Sequence, residues 1–148
     1  MRVLIQRVES SSVEIEGKIV GKSDKGLLLL VGFTEGDTSK EIDYMVDKII
    51  NLRIFDDENG VMNKSLLDVE GNILSISQFT LYADASKGRR PSYINALGGE
   101  KSSILYDEFN NKLKSTGVHT ETGIFGEDMK VSLVNDGPVT IMLEKESR

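Results

Sequence analysis

Cysteine is absent from this chain. Without thiols there is no disulfide framework, no thiolate zinc site and no cysteine nucleophile, and the expected compartment is a reducing one. Histidine occurs once, as His119. A nucleophile–base–acid triad therefore has a single candidate base. Its strand-like setting, Gly117-Val118-His119-Thr120-Glu121, favours a surface or packing role over catalysis. Long apolar runs are also missing. The longest is Leu27 to Val31, and the opening Met1-Arg2-Val3-Leu4-Ile5-Gln6-Arg7 is too short for a signal peptide, so a cytoplasmic protein that avoids membranes is expected. No glycine loop of the Walker type is present, because Gly32-Phe33-Thr34-Glu35-Gly36 lacks the lysine that phosphate chemistry needs. The carboxylates are scattered without histidine or cysteine beside them, and Asp56-Asp57-Glu58-Asn59-Gly60 lacks calcium-loop spacing. No metal and no cofactor is expected. Excess positive charge is the last absence. A net charge of −6 disfavours sequence-independent binding to nucleic acid and gives no reason to expect a DNA partner. The nearest thing to a basic patch is Lys87-Gly88-Arg89-Arg90, which on charge alone reads as a solvated loop.

What is present is ordinary globular material. With 39% hydrophobic and 28% charged residues over 148 positions, the chain can bury a core as one domain, 1–148. Val3 to Val8 and Ser12 to Glu16 alternate apolar with polar residues and predict β structure, with a turn at Gly17. Lys18 to Ser23 returns as a strand. Leu27-Leu28-Leu29-Leu30-Val31 is an uninterrupted run suited to a strand buried on both faces at the centre of a sheet. Thr38-Ser39-Lys40-Glu41 has the form of a capping box, so a helix is predicted to start there. Its core face is Ile42, Met45, Val46, Ile49 and Ile50. Asn72 to Leu81 predicts a strand with Ile73, Ser75 and Ser77 on one face and Leu74 and Ile76 on the other. A second amphipathic helix is predicted over Glu100 to Lys114, with Ile104, Leu105, Tyr106, Phe109 and Leu113 as its apolar residues, after the Gly98-Gly99 break. Met129-Val131-Leu133 and Val139-Ile141-Leu143 read as two strands joined by a turn at Asn135-Asp136-Gly137-Pro138. The fold class that follows is α+β, a mixed or barrel-like sheet covered by two main helices, without parallel βαβ alternation.

Three polar and glycine-containing segments remain: Ser77-Gln78-Phe79-Thr80-Leu81, Thr122-Gly123-Ile124-Phe125-Gly126 and Asn135-Asp136-Gly137-Pro138-Val139-Thr140. Each is weak alone, and Gly137-Pro138 by itself reads as a hairpin turn. Taken in this order around Gly88-Arg89-Arg90-Pro91-Ser92, they resemble the D-aminoacyl-tRNA deacylase family, whose signatures are the SQxTL strand end and the NxGPxT turn. The resemblance covers essentially the whole chain. It departs at Glu127, where the family often has a small residue, and at Gly98-Gly99, where proline is commoner.

The resemblance implies a homodimeric hydrolase that removes D-amino acids, and glycine, from the 3′-terminal adenosine of charged tRNA. Gly137 and Pro138 would form a Gly-cisPro element of one subunit that enters the other's pocket and leaves no room for an L side chain. Main-chain N–H groups near Phe79 and Thr80 would polarise the ester. Thr80 as a nucleophile lacks an evident base, and direct attack by water assisted by the ribose 2′-hydroxyl is preferred. Ser77 and Gln78 would shape the pocket or serve only strand-end hydrogen bonding. Phe125 would stack on adenine or pack in the core. Arg89 and Arg90 are candidates for RNA contact. Two other readings stay open: a noncatalytic module that holds a tRNA end, and a small-molecule esterase or amidase of the same fold.

Overall fold

The computed structural model describes residues 1–147 of the chain. Strand β1 (Arg2–Ile15) turns at Glu16 and Gly17, both with positive φ, into β2 (Lys18–Ser23), and β3 (Gly26–Gly32) follows. The two segments expected to be β, Val3 to Val8 and Ser12 to Glu16, fall in one continuous strand that ends at Ile15. Along one edge it pairs antiparallel with β2 through residues 11–15 and with β3 through residues 2–8. Helix α1 (Ser39–Asn51), the short hairpin β4 (Phe55–Asp56) and β5 (Met62–Lys64), and helix α2 (Leu66–Val69) lead to β6 (Asn72–Ser77). A 3-10 turn, Phe79–Tyr82, ends that strand; helix α3 (Gly99–Ser115), β7 (Thr120–Thr122) and β8 (Lys130–Glu144) complete the order.

β6 pairs parallel with β3, and β7 pairs parallel with β6. Parallel β–α–β connections are therefore present, through α1 and α3, contrary to the expectation from the sequence. The strand β7 is too short to register as a periodic signal, and its partner lies forty-odd residues earlier in the chain. The sheet order β2-β1-β3-β6-β7 curls until its ends approach. There the backbone N–H of Lys22 donates to Glu121 Oε1 at 3.0 Å. Gly21 lets the two ends come close, since a Cβ at that position would lie 2.6 Å from the Thr122 carbonyl oxygen. The result is a nearly closed, barrel-like mixed sheet with helices on one side.

Strand alternation divides the apolar residues between two cores. Val3, Ile5, Leu27, Leu29, Val31 and Ile73 face the helices and pack on Ile42, Met45, Ile49, Tyr106, Phe109 and Leu113. Val8, Val13, Leu28, Leu74 and Ile76 fill the opposite, concave side. Leu27 to Val31 is thus buried on both faces, as its composition predicts. The core face of α1 is the predicted one. That of α3 is Ser102, Tyr106, Phe109, Asn110 and Leu113. Ile104 is instead 65% exposed, because at 100° per residue it lies on the far side of the helix from Tyr106 and Phe109.

β8 departs most from expectation. It is one strand, and both its halves run antiparallel to β1: Lys130 to Asn135 along Glu14 to Val8, then Thr140 to Glu144 along Gln6 to Arg2. Asn135-Asp136-Gly137-Pro138 therefore does not reverse the chain. Residues 136–139 form an excursion opposite the single β1 residue Arg7. Turn-forming residues supply the bend, but a strand as long as β1 can register both flanks, so no hairpin results.

The capping box is formed in full. Thr38 N and Thr38 Oγ1 both donate to Glu41 Oε2 at 2.8 Å, and Lys40 N donates to Thr38 Oγ1 at 3.2 Å. Burial raises the Glu41 pKa, but the hydrogen bonds from Thr38 outweigh it and hold the carboxyl below its ordinary value. A depressed carboxyl stabilises the fold above its unfolded pKa and loses that contribution as pH falls through the folded value. Glu41→Gln should thus lower the unfolding free energy by about 1 kcal/mol at pH 7, the difference between charged and neutral hydrogen bonds. In urea titrations the gap should shrink as pH falls below 4.5; a gap independent of pH would contradict this account.

Candidate active site

The end of β6 opens into a cleft of about 430 Å³. The concave core and the helix side both contribute to it, through Ile76 and Val131 and through Val31, Phe33 and Leu97. Ser77, Gln78 and Phe79 form one wall; Phe125, Gly126, Glu127, Asp128 and Met129 form the other. The walls come together because β6 and β7 pair in parallel and the chain leaves both at the same end of the sheet.

The first wall is held by main-chain contacts. Gln78 N donates to the Val31 carbonyl at 2.7 Å. The turn then lies against Gly32, where a Cβ would meet the Gln78 carbonyl oxygen at 2.9 Å and Leu81 Cβ at 3.3 Å. Gln78 stands at the N-terminus of the turn, and its side chain does not cap the first N–H groups. Thr80 is exposed beside the cleft, and its hydroxyl accepts from the Gln78 side-chain amide. Arg2 secures the turn from behind, donating to the Leu81 carbonyl at 2.8 Å with its guanidinium 4.4 Å from the centre of the Tyr82 ring.

On the second wall Phe125 is half-buried, its ring 6.1 Å from Tyr106 and tilted by 44°. The Tyr106 hydroxyl donates to the Ser75 carbonyl at 2.7 Å. Burial pushes its pKa up, so it remains a neutral donor beneath the cleft. Glu127, one of the departures from the family pattern, stands at the rim beside Asp128, which pairs with Lys130 at 2.8 Å. Gly98 and Gly99, the other departure, begin α3, and Gly99 reaches the cleft.

The remaining candidates lie apart from the cleft of their own chain. Gly137 and Pro138, joined by a cis peptide bond, are exposed on the β8 excursion. Arg89 and Arg90 occupy an exposed loop closed by the Asp84–Ser92 bridge. His119 is on the surface, 2.8 Å from Glu121. Its carbonyl accepts from Ile73 N at the start of β6, while Thr80 follows the other end of that strand, so the histidine cannot serve the threonine as a base.

A model of the D-Tyr-tRNA(Tyr) deacylase family matches residues 4–144. The chain belongs to this family. Its relatives include D-aminoacyl-tRNA deacylases of Clostridium tetani, 58% identical, and Clostridium kluyveri, 57% identical; each match covers 99% of this chain and 98% of the relative. Among solved structures, the c-Myc DNA unwinding element binding protein superposes with a TM-score of 0.93 at 38% identity, covering 99% of this chain and 100% of that one. A probable eukaryotic D-amino acid tRNA deacylase shares the fold, with a TM-score of 0.85 at 19% identity over 96% of this chain and 97% of that one.

Within the deacylase fold, Arg7 is a residue that the sequence reading missed. The side chain lies under the β8 excursion and is only 9% exposed. Its Nη1 donates to the Ile54 carbonyl at 2.8 Å and its Nε to the Asp136 carbonyl at 3.1 Å. The Asp56 and Asp136 carboxylates stand 3.6 and 3.5 Å away. Its sequence signal was a cation inside an apolar strand, which needs a buried partner or costs stability. Arg7→Met should lower the unfolding free energy by about 2 kcal/mol through the carbonyls left unpaired. It should also speed amide exchange at Val139, whose N–H donates to Asn135 Oδ1. Unchanged exchange there would show that the excursion holds itself.

Proposed function

We propose that this chain hydrolyses the ester joining a D-amino acid to the 3′-terminal adenosine of tRNA, releasing the free amino acid. The observation that carries this reading is the uncapped Phe79–Tyr82 turn at the mouth of the cleft, in a chain whose curated relatives of similar length are named D-aminoacyl-tRNA deacylases. In the proposed reaction the N–H groups of Phe79 and Thr80 hold the ester carbonyl oxygen as negative charge develops on it. Water adds to the carbonyl carbon, the bond to the ribose oxygen breaks, and that oxygen leaves with a proton relayed through the neighbouring 2′-hydroxyl. Among the described residues Thr80 has no basic side chain bonded to it, which favours water over a covalent intermediate. Ser77 and Gln78 shape the pocket for the terminal nucleoside and amino group, Phe125 carries the adenine, and Arg89 and Arg90 meet phosphates. A cytoplasmic site of action fits a tRNA substrate.

The working form we propose is a homodimer. Among the described residues β8 is hydrogen-bonded along one edge only, to β1, and it exposes Val134 and Met142. A second copy would cover this surface and accept Gly137 and Pro138 into its cleft. Main-chain carbonyls near the substrate α-carbon would then exclude an L side chain while admitting a D side chain or glycine.

The test is amino acid release from D-tyrosyl, L-tyrosyl and glycyl tRNA under identical conditions. Release from the D and glycyl substrates alone is expected. Release from none would leave an RNA-binding module, and equal activity on free D-amino acid esters would indicate a small-molecule esterase. At Gly137, φ is +126° and a Cβ would lie 2.9 Å from Val139 Cγ2 and 3.0 Å from Arg7 Nη2, so Gly137→Ala must displace the excursion. It is expected to weaken rejection of L-tyrosyl tRNA; unchanged selectivity would remove the proposed filter. Thr80→Ala should stay within about tenfold of the parent turnover, against the roughly 10⁴-fold loss expected for a covalent nucleophile.

A further inference from the structure

At the outer lip of the cleft, Phe79 meets Tyr93 edge to face, with ring centroids 5.1 Å apart and planes at 68°. Both rings remain largely open to solvent, at 56% and 45% exposure, and the next residue, Ile94, is 85% exposed. These aromatic surfaces are exposed but not loose. The segment carrying Tyr93 is fixed on one side by the paired hydrogen bonds of the Asp84–Ser92 bridge, each 2.8 Å. On the other side Thr34 Oγ1 donates to the Asn95 carbonyl at 2.6 Å and Leu97 N donates to the Phe33 carbonyl at 3.0 Å.

We propose that the Phe79–Tyr93 pair is a stacking platform for the unpaired base that precedes the terminal adenosine of the RNA, and that Lys87, Arg89 and Arg90 hold the adjoining phosphates. The inference rests on the deacylase reading above and extends its binding site outward from the cleft. Three observations converge on this occupant. Phe79 lines the cleft and also touches Tyr93, so the platform is continuous with the pocket assigned to the terminal nucleoside. The loop closed by the Asp84–Ser92 bridge immediately before Tyr93 bears three cations in four residues, and none of them forms an ion pair among the described residues. In a chain of net charge −6, a local cationic loop beside exposed aromatic rings complements a single-stranded RNA backbone with its bases turned out. A fixed ring also loses little conformational freedom when a base stacks on it, so the platform is formed before the RNA arrives.

The experiment uses the full chain and two fluorescein-labelled RNA tetranucleotides, one of sequence ACCA and one with an abasic residue at the penultimate position. Fluorescence anisotropy should show the parent binding the intact probe about tenfold more tightly than the abasic one, within the range of base–aromatic stacking. Tyr93→Ala should bind both probes equally weakly, while Tyr93→Trp keeps the preference. A parent without the preference, or a Tyr93→Ala chain that retains it while folded by its urea midpoint, overturns the proposal. So does a change of oligomeric state in Tyr93→Ala with the RNA preference intact, which would assign the surface to a second copy. Binding is read without turnover. A chain that shows the preference but releases no D-tyrosine loses the deacylase assignment and keeps the platform, whereas an active deacylase without the preference loses only the platform.

Discussion

Hydrogen bonding along both edges of β1 is the constraint on which the rest of the structure depends. On one side β1 carries β2 and β3 in succession; on the other it carries both flanks of β8. A slip of one residue would exchange the faces of every side chain it presents. Val3 and Ile5 would leave the helix-covered core, and Val8 and Val13 would leave the concave one. The same register sets Arg7 beneath the β8 excursion and Arg2 against the Phe79–Tyr82 turn. The first strand thus positions two distant parts of the molecule without lining the cleft itself.

The cleft arises where alternation ends. β6 keeps Leu74 and Ile76 in the concave core and Ile73 against the helices, then gives way to a turn that approaches Gly32 too closely for a side chain. Beyond that point the main chain no longer spends its N–H groups on a ladder, and the Gln78 side chain does not cap them. The opposite wall is braced by Tyr106, whose hydroxyl reaches back to the Ser75 carbonyl of the same strand. Both walls are therefore referred to one rigid element, as a preorganised site requires.

Local physical signals carried much of this into the sequence. Thr38 and Glu41 announce the start of α1, the apolar spacing of Ile42 to Ile50 gives its buried face, and the Leu27–Val31 run marks the two-sided central strand. Ser77, Gln78, Phe79 and Phe125 do share one cleft. What was not legible is nonlocal. The parallel pairing of β7 with β6 involves three residues of each strand, too few for a periodic pattern. The Asn135–Pro138 segment has every local mark of a reversal, and only the length of β1 decides that the chain continues instead. Arg7 and Tyr93 were missed because their settings depend on partners far away in sequence: Ile54 and Asp136 for the first, Phe79 and the Asp84–Ser92 bridge for the second.

The β8 excursion differs from a hairpin loop in one further respect. In a hairpin the loop sets the register of the strands it joins, so a change of length is transmitted into the sheet. Here Asn135 and Thr140 are each registered against β1, at Val8 and Gln6. Residues 136–139 consequently lie outside the main-chain ladder and are held to β1 through the Arg7 side chain. Such a segment behaves as a mounted tool: the ladder on either side fixes where it projects, and its own fit over Arg7 fixes its shape.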